Sequence, residues 1–127
     1  MPIKITKIFG REAAQLAAVY GDGYYYTTNA DEILEDPEID IVVELIGREH
    51  PAKEFIAKAF ENGKSVVTAN KDVLAKHGAE LFPLAEAANR DFMFEASVAG
   101  GIPILQTMKT SLAANKITSV MGIVNGT

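Results

Sequence analysis

The chain contains no cysteine. That excludes a disulfide scaffold and a thiolate metal site, and it suits a reducing compartment. No apolar run approaches the roughly 18 residues that a membrane-spanning helix needs. The opening MPIKITKIFG is too short and too polar for a secretory signal. Basic residues form no block, and the net charge is −5, so nucleic acid finds no electrostatic footprint. Internal repeats and low-complexity linkers are lacking as well. The expectation from these absences is a cytoplasmic protein with neither a membrane nor a nucleic-acid partner.

What is present is ordinary for a globular protein: 127 residues, 48% apolar and 23% charged, enough for one domain with a core. Strand and helix patterns alternate, which predicts an α/β fold, a doubly wound parallel sheet with helices on its faces. Ile3–Phe9 alternates apolar and polar residues and reads as a half-exposed strand. Arg11–Tyr20 is alanine-rich and helical, and Tyr24–Thr28 is a short strand candidate. Asn29 and Glu32 have capping-box spacing for a brief helix that ends before Pro37. Ile39–Ile46, IDIVVELI, reads as the most buried strand, being β-branched and almost continuously apolar. After Pro51, residues Ala52, Phe55, Ile56, Ala59 and Phe60 fall on one helical face, which Gly63 ends. Lys64–Ala69 is the next strand. A short helix from Lys71 to Gly78 and a longer one to Arg90 follow, with Pro83 expected to kink the second or mark its start. Asp91–Ala96 reads as a strand, Ile102–Leu112 as a helix and Ile117–Val124 as a last strand.

Three turns carry candidate chemistry. In an open α/β sheet, ligands bind at the carboxyl ends of the strands. SVVTANK, Ser65–Lys71, places a hydroxyl, main-chain amides and the Lys71 ammonium there. Asn70 is equally a plain helix cap and Lys71 a solvated lysine, although a cation is disfavoured at a helix N-terminus. EASVAGGIP, Glu95–Pro103, could bring backbone close to a ligand or offer oxygens to a hard cation; a tight strand-to-helix turn is the plainer reading. Gly47, closing Glu44-Leu45-Ile46-Gly47, either lets a cofactor rest on the backbone or simply ends its strand. Arg11 follows the first strand, where a positive charge can bind a 2′-phosphate, but an exposed arginine opening a helix is the commoner case. His50 and His77 lie far apart with no ligand spacing and read as surface or capping residues. Tyr24–Tyr26 could stack on a base, but a packed strand is the commoner use.

Taken in order, IDIVVELIG, PAKEFIAKAFENGKSVVTANK, HGAELF, FEASVAGGIPI and GIVNGT resemble homoserine dehydrogenase, most strongly over Ile39–Thr127. The resemblance implies NADH- or NADPH-dependent reduction of aspartate 4-semialdehyde to homoserine, a step of threonine and methionine biosynthesis. By the same resemblance Lys71 is the catalytic lysine and lies by the nicotinamide. Ile46, Gly47, Thr68 and Ala69 line the cofactor, and Arg11 favours NADP. Glu95, Val98, Gly100 and Ile102 would hold a sodium ion, the last three through main-chain carbonyls. A small-molecule substrate and, at full length, a homodimer are implied as well.

The family opens with a strand and a G-x-G-x-x-G loop that seats the pyrophosphate, and no such loop occurs in this chain. The expectation is a Rossmann-like unit over 1–101 without its first βα unit, followed by the start of the substrate and dimerisation domain at 102–127. Such a chain alone is expected to be inactive. In the order 3-2-1-4-5-6 the first strand is central, so strands 2 and 3 would lose contact with strands 4 to 6. Alternatively Ile3–Phe9 is itself the first strand, and Arg11 then faces phosphate. A related enzyme such as aspartate dehydrogenase, and a non-catalytic nucleotide-binding or assembly module, are the competing readings; EASVAGGIP and GIVNGT speak against the former.

Overall fold

The computed structural model describes residues 2–123. Two parallel sheets carry five strands: β1 (Lys7–Phe9) pairs with β2 (Tyr25–Thr27), and β3 (Ile41–Glu44), β4 (Ser65–Thr68) and β5 (Phe92–Met93) follow in that order. Helices alternate with them: α1 (Ala13–Tyr20), α2 (Asp31–Leu34), α3 (Ala52–Glu61), α4 (Lys71–Ala87) and α5 (Ile104–Thr110). The strands divide into two sheets between β1 and β3, and among the described residues β1 pairs with β2 alone. None of the described helices is long and apolar enough to cross a membrane.

The core forms where α3 and α4 lie over β4. Ala52, Ile56, Ala59 and Phe60 of α3, Val66 of β4, and Val73, Leu81 and Ala85 of α4 are all buried. The face of α3 predicted from helical spacing is therefore the buried one, with Phe55 partly buried beside it. The helix ends in a Schellman turn. Gly63, at φ +69°, donates its amide to the Phe60 carbonyl, and the Lys64 amide returns to Ala59. Phe60, Phe82, Phe92 and Phe94 stack edge-on and tilted with centroids 5.2–5.9 Å apart, joining β5 to both helices. Such pairs add about 0.5–1.5 kcal/mol each beyond the area they bury.

Five sequence expectations change. The β3 segment is buried on one face only. Val42 and Glu44 turn inward, while Ile41, Val43 and Leu45 are 48%, 60% and 72% exposed. A β-branched run has the same composition whether helices cover one face of a sheet or both, and here α3 and α4 cover one. Second, α4 runs unbroken from Lys71 through Gly78 and Pro83 to Ala87. Val73 before the glycine, and Leu81 and Ala85 on either side of the proline, are buried in one core; that burial offsets the roughly 3 kcal/mol an interior proline costs. Third, β5 stops at Met93, and Glu95–Ser97 form a 3₁₀ turn instead of more strand. Fourth, residues 117–123 form no strand: Ile117, Val120, Met121 and Ile123 are exposed, with no neighbouring strand to complete a ladder; Val124 lies outside the described residues. Similarly, β1 covers only the last three residues of the predicted Ile3–Phe9, and Ile3 is 89% exposed.

Charged clips hold the small sheet to the body. The Lys7 ammonium donates to the Glu32 carbonyl at 2.8 Å and pairs with Asp36 at 2.6 Å. The buried Lys64 donates to the carbonyls of Asp36 and Ile39, and Lys58 on α3 pairs with Asp31 and Glu35. Lys7, and secondarily the Glu38 amide, hold the Asp36 carboxyl below its ordinary 3.8. A depressed carboxylate contributes stability that is complete above its unfolded pKa and is lost as pH falls through the folded one. Asp36→Asn should therefore lower the melting temperature near neutral pH, with the gap to the parent closing as pH drops below 3.8. A gap that stays constant through that range would show that the ion pair is not its source.

Candidate active site at the carboxyl edge of the sheet

The register of β3 and β4 sets Glu44 beside Thr68 at the carboxyl ends of both strands. Glu44 is an acid in an otherwise apolar strand and is only 4% exposed, yet both its oxygens are satisfied. Thr68 Oγ1 donates to Oε2 at 2.6 Å, and the Ile46 amide donates to Oε1 at 2.6 Å. The same threonine hydroxyl accepts the Asn70 amide at 3.0 Å. Asn70 then reaches two ways. Its Oδ1 accepts the Val73 amide at 3.2 Å and caps α4, and its Nδ2 donates to the Arg48 carbonyl at 2.8 Å. One chain of hydrogen bonds therefore ties the turn after β3 to the turn after β4. The cap reading of Asn70 holds, and the cap is also a brace across the strand ends.

This network fixes where Lys71 begins. Lys71 is the first residue of α4, it is exposed, and its ammonium has no hydrogen bond or ion pair among the described residues. A cation at a helix N-terminus is opposed by the macrodipole, so local helix energetics do not account for it. Across the edge, Gly47 sits at φ +78° with no atom within 4 Å of where a Cβ would stand. Only glycine adopts that conformation at no steric cost, and the backbone there is open to approach. Ile46 is half-buried, Thr68 fully buried and Ala69 exposed. The structure thus brings Ile46, Gly47, Thr68, Ala69 and Lys71 to one edge.

Arg11 is exposed in the turn after β1, on the other sheet. The Glu95–Ile102 turn leaves the same carboxyl edge as Lys71, because β5 runs parallel to β4. Some of its oxygens are engaged. Glu95 Oε1 and Oε2 accept the amides of Leu105 and Gln106 at 2.9 and 3.0 Å, capping α5, and the Ile102 carbonyl accepts the Ile104 amide. The Val98 and Gly100 carbonyls accept no hydrogen bond among the described residues. Two concavities on the described surface lie elsewhere. One is a charged notch that includes Lys7, Tyr25 and Glu32; the other is an apolar hollow that includes Phe60, Gly63 and Leu84.

Two groupings escaped the sequence reading. The Glu44–Thr68 pair had one signal, an acid inside a strand that otherwise reads as core. The two histidines, expected to be unrelated, come together with ring centroids 6.1 Å apart around Glu49. Nothing in their sequence spacing encodes this, since the contact joins a loop to the middle of α4. Lys76, then His77, lower the Glu49 pKa from its ordinary 4.5 to about 2. The tyrosine run serves its strand: Tyr25 and Tyr26 donate to Glu32 and to the Gly21 carbonyl.

Comparison with known proteins shows a family. Residues 1–95 match the family profile described as the NAD-binding domain of homoserine dehydrogenase. The chain is 50% identical to a homoserine dehydrogenase of Lactococcus lactis over 127 residues, which is 98% of this chain and 30% of that protein. It is 54% identical to one from Neisseria gonorrhoeae over 96 residues, 76% of this chain and 22% of the relative. Among solved structures, a homoserine dehydrogenase from Thiobacillus denitrificans superposes with a TM-score of 0.85 at 46% identity, covering 91% of this chain and 26% of the other. The chain thus spans less than a third of the length of these relatives.

The hydrogen-bond brace makes its own prediction. Asn70→Ala removes the cap and the tie to Arg48, and should cost about 1–2 kcal/mol in urea unfolding. A loss below a few tenths would show that water replaces both bonds.

Proposed function

The chain belongs to the homoserine dehydrogenase family, and from that membership we propose that it serves as the nucleotide-binding unit of an NAD(P)H-dependent reductase that converts aspartate 4-semialdehyde to homoserine. The observation that carries this reading is Lys71. An unpaired ammonium stands on a turn braced by Glu44, Thr68 and Asn70, across from the open backbone of Gly47. The fit to a nicotinamide cofactor is partial. The open left-handed turn at Gly47 suits close approach of a flat ring, but the chain has no G-x-G-x-x-G loop for a pyrophosphate.

When bound, the nicotinamide would supply the hydride. Ile46, Gly47, Thr68 and Ala69 line its side of the edge in this reading, and Lys71 faces the substrate carbonyl. Reduction of an aldehyde leaves negative charge on oxygen, and the Lys71 Nζ stabilises that charge and delivers a proton to it. Arg11, on the other sheet, would engage a 2′-phosphate and favour NADP. By the same resemblance the pathway leads to threonine and methionine, the compartment is the cytoplasm, and the full-length assembly is a homodimer. The boundary near residue 101, with 102–127 opening a substrate domain, belongs to this proposal. A sodium ion at Glu95, Val98, Gly100 and Ile102 would require the carboxylate to give up or share the α5 amides.

Joined to the rest of a full-length relative, Lys71→Ala should lower kcat by about 10²-fold or more. Near-normal turnover would remove the acid–base role. Arg11→Ala should weaken NADPH more than NADH in a fluorescence titration, and an equal loss for both would withdraw the 2′-phosphate assignment. Saturable binding of NADPH by the chain itself, without turnover, separates a cofactor unit from an assembly module that binds no nucleotide.

A further inference from the structure

One side-chain cluster has no part in the sheet-edge chemistry. Glu49 and His50, in the loop after β3, meet His77 in the middle of α4. Glu49 Oε1 lies 2.8 Å from His77 Nε2 and 3.7 Å from His50 Nε2, and ligand atoms of all three lie within 4.8 Å of one another. Both imidazoles therefore aim the same nitrogen at one carboxylate oxygen.

The far side of the His50 ring is held, with Nδ1 2.6 Å from Glu54 Oε1, whereas His77 Nδ1 lies 3.8 Å from Glu80 Oε2, beyond hydrogen-bond reach. Metal-binding histidines characteristically donate the second ring N–H to a carboxylate, which fixes the tautomer and raises the basicity of the nitrogen that ligates. With Nδ1 of His50 protonated in this way, its Nε2 lone pair faces Glu49. His77 Nε2 is within hydrogen-bond distance of Glu49 Oε1, and a metal ion would take the place of the proton those two atoms share. A tetrahedral zinc site with ligand bonds near 2.0–2.1 Å separates neighbouring ligand atoms by about 3.3 Å, between the two spacings seen here.

We propose that Glu49, His50 and His77 form a binding site for a divalent transition-metal ion of the zinc class, clamping the Gly47 loop to α4. Two imidazoles and one carboxylate suit Zn²⁺, Co²⁺ or Ni²⁺ and not the oxygen-seeking Mg²⁺ or Ca²⁺. Three protein ligands leave a fourth position to water. The surrounding charges set its strength. The Lys76 ammonium holds Glu49 Oε2, leaving Oε1 to the histidines, and Lys53 shares Glu80 Oε2 at 2.9 Å. Both lysines oppose a dication, so the site is weaker than a buried three-ligand centre. The ion would join the loop two residues beyond Gly47 to the helix that begins at Lys71.

The test is a titration of the full chain with Co²⁺ and Zn²⁺, followed by calorimetry and by the visible absorption of bound Co²⁺. One equivalent is expected to bind, with a cobalt band of four-coordinate character that zinc displaces and a molar excess of Mg²⁺ does not. His77→Ala and His50→Ala should each weaken binding by at least about tenfold, and Glu54→Gln by about tenfold through the His50 ring. His50 is largely exposed, so His50→Ala retains the fold if His77→Ala does not. Binding weaker than about 1 mM in the parent chain would overturn the proposal. Binding left intact by His50→Ala would overturn it equally, by placing the ion elsewhere.

Discussion

The carboxylate of Glu44 organises this molecule. It is buried at the end of a strand, and it is tolerable there only because Thr68 and the Ile46 amide satisfy it from opposite sides. Thr68 passes the constraint to Asn70, and Asn70 passes it to the start of α4 and to the turn after β3. Loosening one member would leave a buried polar group without a partner, so the strand ends and the helix start move as a unit. The position of Lys71 follows from that arrangement, not from any contact of its own.

The family assignment and the geometry meet at this edge. Similarity covers nearly all of the chain, while the chain covers less than a third of its relatives, so the shared part is the nucleotide-binding unit and its exit turn. Within it the two candidate ligand turns differ in kind. The Gly47–Lys71 side presents open backbone and an unpaired cation. The Glu95 side is closed on itself, its carboxylate spent on the first amides of α5 and the Lys109 ammonium placed 5.2 Å above the Phe94 ring.

Local signals made much of this readable from sequence. The apolar spacing of Ala52, Ile56, Ala59 and Phe60 defined α3, and Gly63 marked its end, because a single helix decides both. The turn residues Gly47, Thr68 and Lys71 were legible through their place after apolar strands. Features that depend on distant partners were not. Whether Ile41 and Val43 are covered is decided by a helix layer elsewhere in the chain. Pro83 reads as a breaker until the burial of Val73, Leu81 and Ala85 around it is known. The apolar residues from Ile117 look like a strand but have no neighbour to pair with among the described residues. His50 and His77 are 27 positions apart in sequence and share a carboxylate only because α4 folds back over the loop.

The outer border of β3 has a colloidal consequence. Its unclaimed main-chain groups run beside three branched aliphatic side chains, with no lysine, proline or bulge to blunt them. Such a border is a template for another extended backbone, and natural sheets normally guard against it. Pairing between copies along this strand is the expected consequence at high protein concentration.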